Sequence, residues 1–283
     1  MKKVKALIAA LAASLITVAP AVAAGCSHND EKDREAQGQV QNGDNLFNEN
    51  VGQSTEIPDV DVPPEDEVAP APETVEYFTV TSDGVNIRSG AGTGYAVRGQ
   101  AEKSTLYAFD ERSGDWFKTG YRNKSGYISG KYCTLVNMPS SGNELIEAVI
   151  DEGCKLLGTP YVYGAVRLHD GRGNKYKSFT TDAFDCSSLM QYIFYNGAGK
   201  LLDVNTRTQV YQGKTVTKSQ LQRGDLMFFT NAERKNRTGV ERIGHVALYL
   251  GDGYILHTAS DYAKIEKISS TRWSYFIQGQ RIL

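Results

Sequence analysis

Two kinds of side chain in this 283-residue chain can do nucleophilic chemistry near neutral pH, a thiol and an imidazole, and their local patterns are informative. In FDCSSLMQYIFYNG (184–197), Leu189, Met190, Ile193 and Phe194 share one face of a 3.6-residue repeat. A helix is therefore expected to open at Asp185 and Cys186 and to stop at Gly197. Cys186 would sit in its first turn, where unpaired N–H groups and the helix dipole favour a thiolate, the competent nucleophile of a cysteine hydrolase. A cysteine in a buried helix is more often packing than chemistry, so a base is needed. GHVALYLGDGYILHTAS (244–260) reads as a β-hairpin turning at Gly251-Asp252-Gly253. With a three-residue loop Leu250 pairs with Tyr254, and His257 becomes a diagonal neighbour of His245 on the same face. A two-residue loop would put the two imidazoles on opposite faces, so the three-residue loop is expected. Two of only four histidines then converge.

Other segments must position these groups. After Met138-Pro139 a helix is expected, capped by Ser140 or Ser141, with an apolar stripe of Ile146, Val149, Ile150, Cys154 and Leu157 and a stop at Gly158. Residues 165–183 are polar and Gly-rich and read as a surface loop with a solvated His169. Gly224-Asp225 reads as a turn into a strand over 226–229, Arg207 as a surface or groove residue, and Trp273 as core. Between 76 and 137, short alternating runs (77–81, 85–88, 106–109, 116–119, 126–128) are separated by Gly, Ser, Asn and Asp, the spacing of a small barrel. Trp116 and Tyr127 read as its core. Residues 26–75 are acidic and poor in aromatic and β-branched residues, too little apolar surface to order, and read as a disordered tether that includes His28.

Three lysines followed by an apolar run and small residues make 1–25 an expected export signal. Ala21-Val22-Ala23 suits ordinary cleavage, and Ala23-Ala24-Gly25-Cys26 suits lipidation of Cys26; both stay open. Export permits disulfides, so Cys133–Cys154 is conceivable, although Cys154 lies on the apolar stripe. Without a C-x-x-C pair a structural zinc site is not expected. The net charge of −2 conceals a division: residues 27–76 hold 14 carboxylates against Lys32 and Arg34, which leaves residues 77–283 at +7. A basic folded part suits an anionic wall polymer or peptide carboxylates. Basic runs interleaved with aromatics are absent, which argues against nucleic acid.

Two stretches resemble known families. VNIRSGAGTGYAVRG (85–99) with DWFKTGY and SGYISGKY resembles bacterial SH3 domains, through Asn86, Arg88, Gly90, Trp116 and Gly126-Tyr127-Ile128. GTPYVYG (158–164), FDCSS (184–188), RGDLMFF (223–229), GHVALYLGDG (244–253) and YILH (254–257) together resemble the NlpC family of cell-wall peptidases. The resemblance implies an α+β fold with a papain-like catalytic domain over 142–283, a cysteine-bearing helix on an antiparallel sheet, preceded by the small all-β SH3-like barrel. It implies Cys186 as nucleophile, His245 as base and then acid, and His257 as the group that orients it. Tyr161 would support the oxyanion, and Asp185 and Ser187 would contact the substrate's amino end. No cofactor or metal is implied. The implied substrate is the peptidoglycan stem peptide, cut at the γ-D-glutamyl bond to the diamino acid by a monomer. Tyr163, Ala165 and Ser188 depart from the family's usual residues, and the loop after Gly164 is longer. Three other readings stay open: a non-catalytic wall binder, an amidase or acyltransferase of related fold, and a transition-metal site on the same three side chains.

Overall fold

The computed structural model describes residues 73–283; the export signal, Cys26, His28 and nearly all of the acidic tether lie outside them. Eight strands come first: β1 (Thr74–Val80), β2 (Val85–Arg88), β3 (Val97–Ala101), β4 (Leu106–Ala108), β5 (Glu111–Ser113), β6 (Trp116–Tyr121), β7 (Lys124–Ser129) and β8 (Cys133–Pro139). Then follow α1 (Glu144–Lys155), α2 (Cys186–Ala198), α3 (Thr206–Gln209), β9 (Lys214–Val216), β10 (Leu226–Phe229), β11 (His245–Gly251), β12 (Tyr254–Ala259), β13 (Tyr262–Lys267), α4 (Ser270–Ser274) and β14 (Phe276–Arg281). The class is α+β, with every strand pairing within the two sheets antiparallel.

The barrel is not a separate bead. Strands β2, β3, β5, β6 and β7 form one five-stranded sheet, while β8, β1 and β4 continue into β13, β12, β11, β10, β14 and β9 as a nine-stranded sheet. The seam is a single backbone pair, Leu106 with Ile265, and both side chains are fully buried. Arg223 bolts the same junction. Its guanidinium donates to Glu147 on α1 (2.7 Å), to the Tyr77 hydroxyl on β1 (2.8 Å) and to the Leu250 carbonyl on β11 (2.9 Å).

Helix α1 begins because Asn143, not either serine, is extended and its side chain accepts the Leu145 N–H at 3.0 Å. Glu144 and Glu147 in its first turn and Lys155 in its last suit the dipole. Val149, Ile150 and Cys154 are buried as the stripe requires. Helix α2 passes through Gly197 and ends at Gly199, which adopts φ 63°. Gly197 serves packing instead: a Cβ there would lie 2.6 Å from the Val149 backbone, so its absence lets α1 and α2 touch. Cys133 and Cys154 are free thiols, not a disulfide.

Three burial expectations fail for identifiable reasons. His169 is fully buried, because residues 165–183 fold back over α2: the His169 N–H meets Gln191 Oε1 at 3.3 Å, and its ring stacks obliquely near Tyr195. Trp116 and Tyr127 are only half-buried, since the period-2 alternation turns Phe117 and Ile128 inward in their place. Trp273 is half-buried too, at the margin of a small cluster around Phe229 and Ile255, with the Lys218 ammonium 4.2 Å above its ring.

Candidate active site

Cys186 is the first residue of α2, and the cap that starts this helix fixes it in place. Asp185 Oδ1 accepts the Ser188 N–H at 2.8 Å, and Ser188 Oγ accepts the Asp185 N–H at 2.9 Å, a reciprocal capping box. The same carboxylate accepts the Ser187 hydroxyl (2.9 Å) and the Arg167 guanidinium (3.0 Å). Asp185 and Ser187 thus flank the sulfur, yet the charge of Asp185 is already matched by Arg167. Cys186 is 8% exposed and opens on two adjoining cavities. One, about 350 Å³, is lined by Tyr161, Cys186, Asn231, His245, Ser260 and Arg272. The other, about 480 Å³, is lined by Tyr161, Arg167, Asp185, Cys186, Arg207 and Arg234 among others. Tyr161 reaches the sulfur's neighbourhood through a parallel bridge to Phe184.

The imidazoles come from the β11–β12 hairpin, and its turn departs from expectation. Gly251 pairs with Tyr254, so only Asp252 and Gly253 form the loop, both at positive φ. Leu250 is an extra, bulged residue, which shifts the register by one and restores the Leu248–Leu256 pairing of a three-residue loop. The histidines therefore share a face after all. His245 Nε2 lies 3.1 Å from His257 Nδ1, and the rings meet edge to face at 79°. Phe229 on β10, paired in register with His245, packs against that ring.

A further partner stands behind them. His257 Nε2 is 3.0 Å from Glu266 Oε1 on β13, and Arg272 on α4 donates to that same oxygen at 3.2 Å. Neither residue is evident from the hairpin alone. Glu266 could have been found by extending the register to a third strand: in YAKIEK, Lys264 pairs with His257, which makes Glu266 its same-face diagonal neighbour. Arg272, and Arg167 in a loop read as solvated, carry no such signal.

Burial sets the electrostatics. It pushes the Cys186 thiol up to about 12, Asp185 adding to this, against the lowering effect of backbone N–H groups from Val246, Ser187 and Cys186 itself. The helix-start effect is present but outweighed, so the thiol rests protonated. Burial likewise holds His245 well below its usual range, with the His257 and Arg272 charges adding, and lowers His257 less, because Glu266 pulls the other way. The hydrogen bond from His257 holds Glu266 down to about 2. Tyr161 is pushed up to about 12 by burial and stays a hydroxyl donor. A protonated thiol and a neutral imidazole on one cleft can exchange a proton once a substrate covers them. Among the described residues no group of three or more His, Cys, Asp or Glu could hold a metal ion.

The NlpC/P60 family model matches residues 158–281, from the Gly158 turn through β14. This part of the chain is similar to the NlpC/P60 family. A bacterial SH3 domain model matches residues 83–134, upstream of that match. The γ-DL-glutamyl hydrolase of Bacillus subtilis (strain 168) is 29% identical over 164 residues, 58% of this chain and 35% of that protein. The peptidoglycan endopeptidase RipA of Mycolicibacterium smegmatis is 33% identical over 133 residues, 47% of this chain and 24% of that protein. The chain thus spans about a third or less of these relatives' own length. A crystal structure of an NlpC/P60 family protein from Bacillus cereus ATCC 10987 is 19% identical, with a TM-score of 0.39 over 74% of this chain and 64% of that one.

Proposed function

We propose that the protein is a cysteine endopeptidase of peptidoglycan stem peptides that cuts the γ-D-glutamyl bond to the diamino acid. One observation carries this: Cys186 and His245 border a single cleft, with the Nε2 of His245 already held by His257 at 3.1 Å. Only Nδ1 of His245 is then left to act as a base. It takes the thiol proton as sulfur attacks the amide carbonyl, and the C–N bond breaks as the protonated ring gives that proton to the leaving amine. Water, deprotonated by the same nitrogen, then hydrolyses the thioester. The Cys186 backbone N–H, in the first turn of α2 and without a helical acceptor, and the Tyr161 hydroxyl are suited to the oxyanion. His257 orients the base.

The substrate class rests on the relatives, named as a γ-DL-glutamyl hydrolase, a peptidoglycan endopeptidase and a γ-D-glutamyl-L-lysine dipeptidyl-peptidase, and on charge. A γ-linked glutamyl residue keeps a free α-carboxylate next to the scissile bond. The second cavity offers Arg207, whose terminal nitrogens make no hydrogen bond to the described residues, and Arg234; they share the single carboxylate of Glu241. With Asp185 matched by Arg167, recognition of a free amine at that position is weakened. Export, with either cleavage after Ala23 or a lipid anchor on Cys26, would place the enzyme in the cell envelope, acting as a monomer.

Mass spectrometry of muropeptides digested by the wild type and by Cys186→Ala tests the reading. The expected product is a peptide beginning with the diamino acid, absent with the variant. A peptide beginning with the first alanine would instead identify an amidase. A wall-binding reading is favoured by one observation, a cavity of about 290 Å³ on the barrel lined by Asn86, Arg88, Trp116, Lys131 and Tyr132. It predicts retention on sacculi with no product at all from the wild type.

A further inference from the structure

The two histidines can hold their shared proton in two ways, and only one of them leaves a base in the cleft. If His257 carries hydrogen on Nε2, its Nδ1 is an acceptor, His245 must donate from its own Nε2, and His245 Nδ1 keeps its lone pair. If His257 carries hydrogen on Nδ1, it donates to His245 instead. His245 then bears hydrogen on Nδ1 and cannot take a proton from the thiol.

We propose that Glu266 is a positioning residue that selects the first arrangement: it accepts the His257 Nε2 proton at 3.0 Å and thereby fixes the tautomer of His245 through the 3.1 Å contact between the rings. A carboxylate can only accept, so a neighbouring ring nitrogen must donate. Arg272 donates to the same Oε1 and holds the carboxylate in place. The other charged groups around the pair do not compete for it. Lys264, on the same strand, is bound to Asp261 at 2.6 Å and lies 3.6 Å from Glu102, and Asp185 on α2 is bound to Arg167. The relay thus runs across three adjacent strands, β13 to β12 to β11, and ends at the cleft. It rests on the reading of Cys186 as nucleophile and His245 as base.

The test compares the full-length wild type with Glu266→Leu and Glu266→Gln. The Glu266 side chain is a third exposed, so both variants are expected to fold, which circular dichroism checks. In the glutamine variant Arg272 should turn the amide oxygen toward the shared position, so acceptance from His257 survives. Carboxylates behind metal-bound histidines typically matter by about 10–100-fold, and an effect of that order is expected here. Alkylation of Cys186 by iodoacetamide at pH 7 should slow by about 10-fold or more in Glu266→Leu and recover only at higher pH, and should stay within about 3-fold in Glu266→Gln. Nitrogen NMR of the imidazoles should show hydrogen on Nε2 of both rings in the wild type and a changed tautomer in Glu266→Leu. Equal alkylation profiles in wild type and Glu266→Leu, or hydrogen on Nδ1 of His245 in the wild type, would overturn the proposal. If alkylation and tautomers behave as expected but no muropeptide is cleaved, the relay stands and the substrate reading fails.

Discussion

Two polar networks are built on the long sheet, to opposite ends. At the barrel seam Arg223 spends its donors on Glu147, the Tyr77 hydroxyl and the Leu250 carbonyl, with its side chain only 5% exposed. Arg272, Glu266, His257 and His245 form a chain of similar length, but it ends at a cleft with one ring nitrogen unassigned. A satisfied buried network resists change, because removing any member strands the others. A network that stops one hydrogen bond short keeps a polar atom ready for a substrate, at some cost in stability. Position within the sheet does not separate them; completeness does.

The sharpest way to break this contrast is to remove the sulfur. Cys186→Ala should lower muropeptide cleavage by about 10⁴-fold or more, as loss of a nucleophile does in other hydrolases, while thermal stability barely moves. Should cleavage persist, the open end of the chain is not where chemistry occurs. Arg223→Ala should do the reverse. Breaking a buried, hydrogen-bonded pair typically costs about 3–5 kcal/mol, seen as a lower urea midpoint, with muropeptide cleavage by the remaining folded protein close to wild type. An unchanged midpoint would show that the seam does not depend on this guanidinium.

Acid should act in two stages, on the imidazoles first and on the carboxylates of both networks second. His245 and His257, lowered chiefly by burial, bind protons more readily unfolded, where 6.5 is the usual value. Their contribution is complete above 6.5 and is lost as pH falls below it toward the folded values. Burial raises Glu147 but hydrogen bonds from Arg223 and Ser141 lower it overall, and the His257 contact lowers Glu266, so both contributions persist until pH drops below about 4.5. Melting temperature followed from pH 8 to 3 should therefore fall in two stages, and the first should vanish in a His245→Ala, His257→Ala double variant. The smallest effect expected is that of Arg207→Gln. An exposed ion pair is worth about 1 kcal/mol or less, so KM for a substrate with a free α-carboxylate should rise by about 3–5-fold, with no change for its amidated form.

Much of the site was legible beforehand because it rests on short-range rules. The Asp185 cap and the apolar face of α2 fixed the helix around Cys186. The hairpin illustrates a different route: the turn is one residue shorter than predicted, yet the predicted pairing of the strands holds, because a bulge at Leu250 absorbs the mismatch. His169 and Gly197 depart from expectation because distant segments cover them, whereas Trp116 departs because its neighbour Phe117 takes the inward face of the strand.

The amino-acid order alone determined the elements and the chemistry they could carry, since capping, periodicity and turn preference act over a few residues. It determined the thiol at a helix start and the two imidazoles on one ribbon. Only the folded chain decided that Arg272 holds the carboxylate behind His257, that Arg167 occupies Asp185, and that the barrel strands continue into the sheet that carries both histidines. Those contacts join residues whose proximity no local pattern encodes, and they form because burying one polar group obliges the fold to bring it a partner from elsewhere.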